Sequence, residues 1–153
     1  MITVWVPGAP KTKGSMTWQR GGRGRAVQSV QGSEEWAWAV TQAVQTWRGD
    51  HGLAGPVFVR ATFWLPVPDV TVAQVGDLDK LLRNVLDALT KAGAYGDDVQ
   101  VTRVETVKYA TDGANDPPGV LLEFESDAQR EGGARHLEAL IDRWRALQRQ
   151  GLA

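Results

Sequence analysis

The chain has 153 residues, 42% of them hydrophobic, and a formal net charge of −1. That length suits one domain with a real core and argues against two. No apolar run approaches the roughly 20 residues that span a bilayer, and MITVWVPGAPK has no basic segment followed by an apolar one, so no membrane partner is expected. The absence of cysteine excludes disulfides, thiolate metal sites and a cysteine nucleophile, and fits a cytoplasmic protein. With only His51 and His136 present, a multi-histidine zinc site is not expected either. Any metal would be a hard ion held by carboxylate oxygens, and no organic cofactor is expected.

In chain order, Ile2, Val4 and Val6 alternate with Thr3 and Trp5, which predicts a strand ending at Pro7. Residues 7–32 read as a long glycine-rich loop. It carries Lys11, Lys13, Arg20, Arg23 and Arg25, and the first acidic residue of the chain is Glu34. A segment of this kind either stays solvated or contacts phosphates and orders on binding. Ser33 is placed to cap a helix, with Glu34 and Glu35 in its first turn. Trp36, Ala39, Val40, Ala43, Val44 and Trp47 then follow at helical spacing, up to Arg48-Gly49-Asp50. Most of the seven tryptophans fall in patterned segments and read as core.

Pro56 opens a strand through Leu65 that is apolar on both faces, which predicts a central position in a sheet. After a linker over 66–76, Leu78, Leu81, Leu82, Val85, Leu86 and Leu89 predict an amphipathic helix from about Asp79 to Lys91, ended by Gly93. The strand VQVTRVETVKY changes parity between Val101 and Val104, so a bulge is expected near Thr102–Arg103. Asn115-Asp116-Pro117-Pro118 reads as a turn, and Val120, Leu122 and Phe124 as a fourth strand. Leu137, Leu140, Ile141, Trp144 and Leu147 mark one face of a last helix, whose start Gly132-Gly133 delays. The order β-α-β-α-β-β-α predicts an α/β (α+β) single domain: a mixed four-stranded sheet with helices mainly on one face.

Acidic residues flank the second helix, Asp77 and Asp79 before it and Asp97 and Asp98 after it. Asp77 and Asp79 are either caps or metal ligands, and Gly-Asp-Asp before a strand is also a common turn. One cap needs one carboxylate, and a cation relieves the repulsion between neighbouring acids. Arg83, four residues after Asp79, is placed either for a surface ion pair or to meet a phosphate at that helix end. The helix is roughly 18 Å long at 1.5 Å per residue. The pattern therefore does not say whether the returning chain brings Asp98 back to Asp77.

The segment DLDKLLRNVLDALTKAGAYGDDVQV resembles the core signature of RusA-type Holliday-junction resolvases. That pattern is D-x-D-N, a lysine one turn later, a D-A-L helix end, a glycine-containing loop and D-D-x-Q-V. Asp77, Asp79, Asp87-Ala88-Leu89 and Asp97 to Val101 match it. Lys108 and the early P-x-x-K-G segment, Pro10 to Gly14, also fit. The chain departs at Lys80, where the family has asparagine, and at Arg83, where it has lysine. The resemblance implies a homodimeric, Mg²⁺-dependent endodeoxyribonuclease, with Mn²⁺ as a substitute ion, that resolves four-way junctions or related branched DNA by paired phosphodiester hydrolysis.

On that basis Asp77, Asp79 and Asp98 are the expected metal ligands, and Arg83 the stabiliser of phosphate charge. Lys11, Lys13, Arg20, Arg23, Arg25, Lys80 and Lys108 are the expected DNA contacts, and Asp97 a turn or supporting residue. Residues 1–125 would form the endonuclease domain and 126–153 a C-terminal helical extension packed on it. The Arg83 change leaves open a non-catalytic branched-DNA-binding or assembly protein on the same scaffold. A weaker resemblance, Pro68-Asp69 with Glu105 and Lys108, is to PD-(D/E)-x-K nucleases, but its E-x-x-K spacing is wrong.

Overall fold

The computed structural model describes residues 1–14, 17–18, 26–27, 31–48, 52–112, 116–127 and 149. Its main strands are β1 (Ile2–Pro7), β4 (Val57–Leu65), β5 (Val101–Ala110) and β6 (Gly119–Ser126), with helices α1 (Ser33–Arg48) and α2 (Leu78–Ala92). Between β1 and α1 the short strands β2 (Thr17–Trp18) and β3 (Ala26–Val27) pair antiparallel. The stretch expected to be structureless thus contains a small ribbon. The C-terminal helix, Asn115, and Arg20, Arg23 and Arg25 lie outside the described residues, while Ser126, the expected first residue of the extension, is the last residue of β6.

The sheet order is β1-β6-β4-β5. β1 with β6 and β6 with β4 are antiparallel, while β4 and β5 run parallel through the α2 crossover. The central position predicted for β4 is observed, for the reason given. Val57, Val59, Ala61, Phe63 and Leu65 face the core, while Phe58 is buried on the other side. There the Arg103 guanidinium lies 4.5 Å from the Phe58 ring centroid, and Arg60 bonds Glu105 and Glu123. The bulge also falls where the parity change put it. Val57 aligns with Val101 and Phe58 with Arg103, which leaves Thr102 as the extra residue.

Both helices close the same core. Trp36, Val40 and Val44 of α1 join Leu81, Val85, Ala88, Leu89 and Ala92 of α2 in one cluster with Val4, Val6, Phe63, Val120, Leu122 and Phe124. Two helix ends differ from or refine the sequence reading. Ser33 is the first helical residue rather than the cap, because the Gly32 carbonyl accepts the Trp36 N–H at 3.1 Å. Gly93 ends α2 in the left-handed conformation (φ 71°) with its N–H on the Leu89 and Thr90 carbonyls, as expected of a C-terminal glycine. Among the described residues no helix is long and apolar enough to cross a membrane.

Gly119, opposite Pro7 at the start of β6, tests the packing of the second sheet face. A Cβ there would stand 2.5 Å from the Trp5 ring and 2.6 Å from the Val6 carbonyl oxygen. Gly119→Ala is expected to destabilise the fold by about 1–3 kcal/mol, the usual effect of overpacking. Urea denaturation read by tryptophan fluorescence measures it.

Candidate active site

The stretch Val75-Gly76-Asp77 leads into α2, and Asp77 occupies the position before its first residue. Its carboxylate does not cap the helix. It turns instead to Lys80, with Oδ2 2.6 Å from the ammonium, and stays 64% exposed. That hydrogen bond, the Lys80 charge and more weakly the charge of Lys108 hold the Asp77 carboxyl below the usual carboxylate range. Asp79 and Arg83 are exposed on the same end of α2 and form no ion pair with each other. The helix therefore presents two solvated carboxylates at its positive end, one of them ionised to unusually low pH.

The basic loop is docked beside this end. Asn84, buried on the inner face of α2, donates its amide to the Lys11 carbonyl at 2.9 Å and to Ser33 Oγ at 3.2 Å. The Lys13 N–H bonds the Lys80 carbonyl at 3.0 Å, and the Lys13 ammonium pairs with Asp87. Lys11 is exposed, its aliphatic stem lying over Gly32. Lys108 reaches across from β5 and donates to the Val75 and Gly76 carbonyls at 3.0 and 2.9 Å. Of the expected DNA contacts in the described residues, Lys13, Lys80 and Lys108 thus have protein partners.

Asp97 and Asp98 lie at the other end of α2. Asp97 Oδ1 accepts the Val99 N–H at 2.9 Å, and Gln100 Oε1 accepts the Gly96 and Asp97 N–H groups at 2.7 and 3.1 Å. This is a capping box over the short 3₁₀ turn Asp98–Gln100, and it gives Asp97 a structural role. Gln100 also donates to the Gly55 carbonyl at 2.9 Å, which ties the turn to the entry of β4. Asp98 is left exposed, next to Val99, which is 80% exposed. Tyr95 beneath the turn is buried, its hydroxyl on the Leu86 carbonyl at 3.2 Å, and burial pushes its pKa up to about 12.

The two acidic halves do not meet within one chain. Lys108 marks the C-terminal end of β5 and touches the Asp77 loop, whereas Asp98 precedes Val101 at the N-terminal end. From Val101 to Lys108 the strand covers roughly 23 Å at about 3.3 Å per residue. The 15 residues of α2 give about the same length at ~1.5 Å per residue. Oxygen ligands of Mg²⁺ stand at about 2.0–2.1 Å, so one ion cannot take all three carboxylates of one chain. Among the described residues no group of three or more acidic or histidine side chains is assembled for a metal. The donor chemistry suits a hard divalent ion, but each end of β5 offers only part of a set.

Two supporting residues were not singled out from the sequence. Gln100 was visible in the D-x-x-Q spacing of a capping box, and Asn84 as a polar residue on the apolar stripe of α2.

Solvated carboxylates at a helix N-terminus, with arginine and lysine around them, thus stand at one end of a mixed sheet in an α+β fold. The family model described as Endodeoxyribonuclease RusA matches residues 7–119, more than half of the chain. The chain belongs to this family and is an endodeoxyribonuclease of the Holliday-junction type, with branched DNA as its partner. No curated protein matches it.

Two outcomes test the site as described. In a carboxyl-detected NMR titration Asp77 should ionise below the usual aspartate range. Lys80→Met should move it upward, because the first cause of the depression is gone. The sign is that of a depressed carboxyl: the Asp77–Lys80 attraction is present above the ordinary range and lost as pH falls through the Asp77 value. Asn84→Ala should destabilise the fold by about 1–3 kcal/mol, since the Lys11 carbonyl and the buried Ser33 lose a donor. Chemical denaturation measures that loss.

Proposed function

We propose that the protein is a Mg²⁺-dependent, structure-selective endonuclease that resolves four-way junctions by paired hydrolysis. It works as a homodimer in which Asp77 and Asp79 of one chain and Asp98 of the other hold each metal ion. The observation that carries this reading is the separation of the two acidic halves to opposite ends of β5, an edge strand of the sheet. A two-fold axis across the middle of β5 reverses the strand, so each Asp98 end faces the partner's Asp77 end. Val75 and Val99, beside the two halves, and Val104 between them are exposed and supply apolar surface for such a seam. A four-way junction shares the two-fold symmetry, and two equal sites suit two related nicks.

Held by Asp77, Asp79 and Asp98, Mg²⁺, or Mn²⁺ in its place, would supply an activated water and neutralise charge on the phosphate oxygens. The chain supplies the rest. Lys80 pairs with the Asp77 carboxylate and lowers the pH at which it is neutralised. Arg83, exposed one turn beyond Asp79, binds a phosphate oxygen; its guanidinium is always charged and stabilises charge without giving up a proton. The P-x-x-K-G loop is pinned by Asn84 and Asp87 and presents Lys11 to the DNA backbone, which Arg20, Arg23 and Arg25 also contact.

The test is metal-dependent cleavage of a four-way junction against linear duplex. Wild type should make symmetric paired nicks. Asp77→Asn and Asp98→Asn should each lose more than about 100-fold, beyond the range for groups outside the metal's own ligands. Arg83→Ala should lose about 10²–10³-fold, as when one stabiliser of developing charge is removed. Co-expressed Asp77→Asn and Asp98→Asn chains then decide whether the site is shared. A mixed dimer carries both substitutions at one site and neither at the other, so single-site nicking should return. If each site came from one chain, the mixture would stay inactive. Metal-independent cutting, or saturated junction binding without cutting, would overturn the reading.

A further inference from the structure

Lys108 leaves β5 on the side of α2 and spends two of its three N–H donors on neighbouring carbonyls, Val75 at 3.0 Å and Gly76 at 2.9 Å. These are the two residues before Asp77. Gly76 adopts φ 66°, which other residues rarely accept, and the chain then enters Asp77 at ψ 126° before α2 begins. Among the described residues Lys108 is the donor that reaches both carbonyls from a strand of the sheet. Its charge also reaches the Asp77 carboxylate. The ammonium is partly buried and already bonded, which is unlike a side chain held ready for the DNA backbone.

We propose that Lys108 is a positioning residue for the Asp77–Asp79 end of the site: it clamps the Val75 and Gly76 carbonyls and so sets the direction in which Asp77 leaves the loop. This rests on the metal-dependent reading above. Metal-binding carboxylates must be held to within about 0.5 Å to be productive, by supporting hydrogen bonds such as these two. The alternative role, a DNA-backbone contact, makes opposite predictions.

The experiment compares wild type with Lys108→Met and Lys108→Arg in the full chain. Four quantities are read: junction binding without metal as salt is varied, Mn²⁺ affinity, amide exchange over residues 72–78, and single-turnover cleavage. In Lys108→Met the metal-free junction affinity and its salt slope should stay within about twofold of wild type. Exchange at Gly76 and Asp77 should rise by at least tenfold, and Mn²⁺ affinity should fall about 10–100-fold, as for supporting residues of metal sites. Cleavage should fall in kcat while KM for the junction holds. Lys108→Arg, whose fork can also reach two carbonyls, should recover part of the Mn²⁺ affinity.

Weaker metal-free binding with a salt slope reduced by about one, together with unchanged exchange and Mn²⁺ affinity, would identify a phosphate contact and overturn the proposal. Gly76→Ala strains the same turn with Lys108 in place, and it serves if Lys108→Met fails to fold. Wild-type Mn²⁺ affinity and exchange in that variant would also overturn the proposal. If wild type itself neither binds Mn²⁺ nor cuts, the functional reading fails, while the exchange data still decide the clamp.

Discussion

The packing of α2 on the sheet is the constraint from which the rest follows. Its buried stripe, Leu81, Val85, Ala88, Leu89 and Ala92, runs the whole length of the helix and joins the common core. A helix fixed along its length behaves as a rod, and the parallel pairing of β4 with β5 obliges the chain to travel to the far end of the sheet before β5 begins. A motif continuous in sequence is thereby split in space. Asp77 and Asp79 stay with the C-terminal end of β5, and Asp98 stays with its start. Tilting the rod to bring them together would expose residues that are now fully buried. The proposed homodimer unites the halves without disturbing the core.

The same packing sorts the cations. Lys13 is pinned to Asp87, Lys80 to Asp77, and Lys108 to two carbonyls, while Arg60 and Arg103 bind acids on the opposite face of the sheet. Exposed ion pairs of this kind add little to stability, about 0–1 kcal/mol each. Their effect is to fix where charge sits. Around the Asp77 end, among the described residues, Lys11 and Arg83 are the exposed cations without a carboxylate partner. A net charge near zero is therefore compatible with a nucleic-acid-acting protein, because the acids neutralise cations with structural work and leave a few directed ones.

Much of the scaffold was legible in the residues. The period-2 run in β4 and its apolar residues on both faces announced a central strand. The i, i+3, i+4 leucines announced α2, Gly93 announced its end, and the parity break announced the bulge at Thr102. These are local signals, set by backbone geometry and side-chain periodicity. The misreadings were also local. The ribbon of β2 and β3 lacked an alternating pattern long enough to be seen. Ser33 has the residue type of a cap, but its hydroxyl accepts the Asn84 amide instead.

By itself the sequence determined the four main strands, the two described helices and their order, and the chemistry at hand: carboxylates beside arginine and lysine, without cysteine or a histidine set. Tertiary structure decided which of these groups share a place. The carboxylate of Asp77 points to Lys80 rather than to its own helix, Lys108 holds a loop, Gln100 holds another, and Asp98 lies a helix length from Asp77 and Asp79. The reason is physical. Residue type and spacing act over a turn or two of chain, whereas the distance between two ends of a helix is fixed by what the helix is packed against.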